Sequence, residues 1–76
     1  MICPILMKDA ADVERVNRVA VESGIEMSVK CEHFMIDPKS ILGLFAIVGK
    51  DAELVLPDDL NERTVKRLVK RMSVSA

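Results

Sequence analysis

The sequence predicts an α+β domain in which helices cover one face of an antiparallel sheet. Two observations carry this reading. Apolar residues switch along the chain between helical spacing and strict alternation, and the links between apolar segments are too short for parallel crossovers. The predicted order is β-α-β-β-α-β-α, in one domain spanning residues 1–76, close to the lower size limit for folding without a metal or disulfides.

Ile2 to Met7 form the first strand, and Pro4 within it argues for an edge, because proline cannot donate to a central ladder. Asp9 caps the first helix. Val13, Val16 and Ala20 then recur at helical spacing, with Val19 beside them, and Gly24 closes it. From Ile25 the period becomes two: Ile25, Met27, Val29 and Cys31 alternate with Glu26, Ser28, Lys30 and Glu32. Phe34–Ile36 return as a strand after a tight turn at Glu32-His33, which lacks the glycine usual there. In "IDPKSILGLF", Asp37 is expected to cap a short helix with Pro38 at its first position, placing Lys39 and Ser40 in the first turn. Gly49-Lys50-Asp51 turns the chain into a strand over Glu53–Leu56. A last helix runs from about Asn61, with Val65, Leu68, Val69 and Met72 on one face.

Composition narrows the function. Acids and bases nearly cancel, for a net charge of −1, so no global field draws the chain to nucleic acid or an anionic membrane. The opening MICPILM is too short for a membrane span or signal peptide and lacks a basic start. Cys3 and Cys31 read as small buried hydrophobes of a reducing compartment, and a cytoplasmic location is expected. His33 stands near Cys31, but a Cys-x-His pair without further ligands makes a poor metal site. There is no glycine-rich phosphate loop and no nucleophile paired with a base, so neither an enzyme nor a cofactor is expected. The cations between Lys66 and Arg71 lack interleaved aromatics and read as a solvated helix face.

What remains is Ser40, a small hydroxyl near backbone N–H groups, beside the apolar residues Ile41, Leu42, Leu44 and Phe45. A serine also suits a first helical turn for its own sake. The string "DPKSILGLFAI", with "AELVL" and the last helix, resembles the HPr family, phosphocarriers of the bacterial sugar phosphotransferase system. In that family a Lys-Ser-apolar-apolar-Gly run opens the second helix after the β2–β3 hairpin. The resemblance implies an open-faced β-sandwich with strand order 1-4-2-3 and three helices on one face. It turns Leu44 and Ile47 inward and leaves Lys39, Ile41, Leu42 and Phe45 as a docking surface.

HPr carries phosphate on a histidine at the start of its first helix, in a Gly-apolar-His-x-Arg-Pro-Ala run. The matching stretch "MKDAADVERV" has no histidine, no arginine at the motif position and no proline. The arrangement is similar to catabolite-repression HPr, which keeps the serine without the histidine. The resemblance therefore implies a regulatory protein of catabolite repression, with Ser40 a phosphorylation candidate. Its implied partners are HPr kinase/phosphorylase and a catabolite control regulator. Two other classes stay open: a small-molecule-binding module of ferredoxin-like or ACT-like type, and a fold-only HPr-like domain. Strand order separates the first of these, because HPr-like pairing sets strand one beside strand four, at an edge.

Overall fold

The computed structural model describes residues 1–73; residues 74–76 of the expected domain lie outside the described residues. Its elements are β1 (Ile2–Leu6), α1 (Ala10–Ser23), β2 (Ser28–Cys31), β3 (Phe34–Ile36), α2 (Ile41–Phe45), β4 (Asp51–Val55) and α3 (Glu62–Met72). The four strands form one antiparallel sheet in the order β1-β4-β2-β3. β1 lies at an edge beside β4, as the HPr-like layout requires, and Pro4 stands opposite Glu53 there. This edge position of β1, rather than its pairing with β4, departs from the ferredoxin-like alternative.

Register explains the one-sided core. Cys3, Leu54, Val29 and Ile36 form one row across the sheet; Pro4, Glu53, Lys30 and Met35 form the next, on the opposite face. The first row is buried or half-buried and the second is exposed. Over the first lie Val13, Val16, Val19 and Ala20 of α1, Leu44 of α2, and Val65, Leu68 and Met72 of α3, all buried in one apolar cluster. The sandwich is open on its other side.

Local chemistry sets the helix ends. The Asp9 side chain accepts from the Asp12 N–H and Gly24 closes α1 at φ 67°, while Asn61 accepts from the Thr64 N–H to start α3. The β2–β3 turn keeps two residues without glycine, with Glu32 at φ 56°, a conformation disfavoured for a side chain with a Cβ.

Three strands differ in extent from the sequence reading. β2 starts at Ser28 rather than Ile25, because Ser28 already pairs with Val55, the last residue of β4, and Ile25 gives its N–H to Ser23 Oγ. Burial nevertheless alternates through Ile25, Glu26 and Met27. β4 spans Asp51–Val55 rather than Glu53–Leu56, since Asp51 pairs with Leu6 where a turn was expected. β1 ends at Leu6, one residue early; the Met7 carbonyl instead accepts from Gly49 N–H at 2.8 Å.

The start of the second helix matters most. Asp37 does not cap α2, and Pro38–Ser40 are not its first turn. The Asp37 carboxylate accepts from Lys39 N–H at 2.9 Å and its carbonyl from Ser40 N–H at 2.8 Å, closing a tight turn with Pro38 at its second position. Asn17 of α1 donates to the Pro38 carbonyl at 3.0 Å, and Pro38 is fully buried. The helix proper starts at Ile41, with Ser40 as its N-cap.

Candidate functional site

Ser40 and Lys39 are both exposed at the entry to α2. The Ser40 hydroxyl makes no capping bond, and its backbone N–H is engaged by Asp37. Ser40 therefore differs from the expected first-turn residue: it precedes the helix, its own N–H is satisfied, and α2 has only five residues. A helix of that length contributes little dipole, so the favourable setting for an anion is weaker than the sequence suggested.

The apolar residues behave as expected. Leu44 is buried, as is Ile47 just past the helix; together they lock the orientation of α2. Leu42 is 80 % exposed, Phe45 42 %, and Ile41 lies at the margin of exposure beside them. All three lie exposed on α2, within five residues of Ser40 in the chain.

Two features of this region were not legible as site residues. Gly43 faces β3: a Cβ there would stand 2.8 Å from Ile36 Cγ2, so glycine lets the helix lie against the strand. Between the two runs an apolar groove of about 300 Å³, lined by Phe34, Ile36, Gly43, Ala46 and Ile47 among others. Leu42 and Phe45 do not line it. Phe34 and Met35 on β3 are themselves 64 % and 60 % exposed. The expected order 1-4-2-3 already set the third strand at an edge, as found; the exposure of its two large apolar side chains was not read from the sequence.

The start of α1 is occupied by its own carboxylates. Asp9 takes the Asp12 N–H, and Asp12 accepts from Lys8 N–H at 2.8 Å and from the Arg15 guanidinium at 3.0 Å. The Lys8 backbone bond, helped by Arg15 and opposed by partial burial, holds the Asp12 carboxyl below the usual range. A carboxylate with a depressed value adds stability above its unfolded value and loses it as pH falls through the folded one. Asp12→Ala should therefore lower the urea midpoint at neutral pH, and the gap to wild type should close on acidification below about pH 4. A gap unchanged at about pH 2 would show that Asp12 acts by packing rather than charge.

His33 sits exposed in the β2–β3 turn, on no element shared with the α1 start. Cys3 is half-buried and Cys31 buried, both as free thiols. Among the described residues no group of three or more His, Cys, Asp or Glu is gathered to hold a metal, and no helix is long and apolar enough to cross a membrane. Lys66, Arg67, Lys70 and Arg71 are exposed on α3, and Arg71 pairs with Glu22 of α1 at 2.7 Å.

No family model and no curated protein matches the chain. Among solved structures it is similar to HPr from Thermoanaerobacter tengcongensis, with a TM-score of 0.69 over 96 % of this chain and 89 % of that one, at 20 % identity. The chain has the HPr-like fold: four antiparallel strands in order 1-4-2-3 and three helices on one side.

Proposed function

We propose that this protein is a non-catalytic HPr-like module of the phosphotransferase type, acting in the cytoplasm through protein contacts made by the α2 face and phosphorylated at Ser40. The observation that carries this reading is the exposure of Leu42, Phe45 and Ile41 directly beside an accessible serine hydroxyl. Lys39, Ile41, Leu42 and Phe45 form the docking surface. By resemblance, the modifying enzyme is HPr kinase/phosphorylase and the responding partner a catabolite control regulator.

A phosphocarrier role is unsupported. Phosphoryl relay needs an imidazole nitrogen, and the start of α1 offers Asp9 and Asp12 instead, whose charge repels an incoming phosphate. A phosphate on Ser40 would add nearly two negative charges next to Lys39, with a modest contribution from the first N–H groups of α2. It would change the recognition surface without melting the helix.

The test is a paired labelling experiment read by intact mass. HPr kinase/phosphorylase with ATP should add one phosphate, lost in Ser40→Ala. Enzyme I with phosphoenolpyruvate should add none. Failure of the first leaves the fold-only alternative; acid-labile labelling that disappears in His33→Ala overturns the proposed absence of carrier chemistry.

A further inference from the structure

We propose that β3 is a self-pairing edge, and that two copies of this chain associate by aligning their β3 strands antiparallel about Met35. The sheet has two edges, and they are treated differently. β1 carries Pro4, which blunts strand pairing. β3 has neither proline nor charge within Phe34–Ile36, and presents two large exposed apolar side chains.

Backbone geometry selects the pairing. In the two-residue turn between Cys31 and Phe34, the i to i+3 bond turns the Phe34 N–H inward toward β2. Alternation then points the Met35 N–H and C=O out from the sheet. A two-fold axis through Met35 lets each copy give one N–H and accept one from the other, as an isologous contact demands.

The same register matches the neighbours. Phe34 falls opposite Ile36 of the second copy, at the mouth of the groove that Gly43 keeps open beside α2. His33 falls opposite Asp37, setting an imidazole N–H against a carboxylate. The end bearing Glu32 meets the end bearing Lys39. All four polar residues are exposed, and none forms an ion pair among the described residues. A segment with a carboxylate and an N–H donor side chain at each end is self-complementary only when antiparallel. Leu42 and Phe45 lie outside the groove, so this contact is separate from the proposed partner face and stands independently of it.

The strand is short, so association should be weak. Sedimentation velocity between about 10 μM and 1 mM should show the average mass rising from monomer toward dimer. Met35→Lys, which sets two like charges face to face at an exposed position, should weaken dimerisation at least about tenfold without changing the thermal midpoint. Leu42→Asp should leave the dimer intact. Wild-type protein that stays monomeric at about 1 mM, or a dimer indifferent to Met35→Lys, overturns the proposal. So does a dimer that Leu42→Asp dissolves as readily, which would assign the contact to α2.

Discussion

Leu54→Ala is expected to cost about 2–5 kcal/mol, the range for truncating a buried leucine whose cavity cannot fully collapse. Leu54 is 0 % exposed and occupies an interior strand, between Cys3 on β1 and Val29 on β2, beneath the helices. Small domains have only about 5–15 kcal/mol in total, so this one change could remove much of it. Leu68→Ala, on the buried face of α3, should act similarly. Lys66→Ala and Lys70→Ala on the exposed face should shift stability by only about 0.5 kcal/mol. Urea denaturation of the four variants checks the assignment: equal midpoints for Leu68→Ala and Lys66→Ala would mean that α3 presents another face to the sheet.

The largest functional effect should come from the opposite kind of residue. Leu42→Asp places a carboxylate at the centre of the exposed α2 surface, where any partner using that surface must bury it without a counter-charge. Binding or phosphorylation by HPr kinase/phosphorylase should be abolished. Stability should change by only about 0.5 kcal/mol, because Leu42 is already 80 % exposed. Phe45→Asp should behave alike with a slightly larger stability cost, since Phe45 is less exposed. Thermal midpoint and kinase labelling measured on the same samples separate the two effects. Loss of folding in Leu42→Asp, or labelling at the wild-type rate, would remove the docking role from this face.

Much of the fold could be read from residues whose role is local. Asp9 and Gly24 fix the ends of α1 with a side chain and with backbone freedom, as their positions suggested, and α3 starts beside Asn61 as expected, with the Asn61 side chain as its cap. Val65, Leu68 and Met72 follow from helical spacing alone. Asp37-Pro38 could not be settled that way, because Asp before Pro serves equally as a helix cap and as the opening of a turn. What stabilises the turn includes the bond from Asn17, 21 positions away in sequence, to the Pro38 carbonyl. The start of β2 likewise depended on where β4 stops. At the candidate site, the outward set of Ile41, Leu42 and Phe45 followed from the resemblance, whereas the fit of Gly43 against Ile36 needed the packed strand and helix.

The pairing of β1 with β4 also orders events in time. Ile2 finds its partner at Val55, so during synthesis the first strand has no place in the sheet until β4 has been made. The β2–β3 hairpin and α1 are local and can form earlier. Throughout that interval the apolar segment ICPIL waits unpaired, able to stick to its counterpart on a neighbouring nascent chain. Pro4 stands at its centre, where it interrupts strand-to-strand aggregation yet is tolerated in the finished edge. The residue that marks β1 as an edge thus acts first as a gatekeeper, before there is a sheet for it to border.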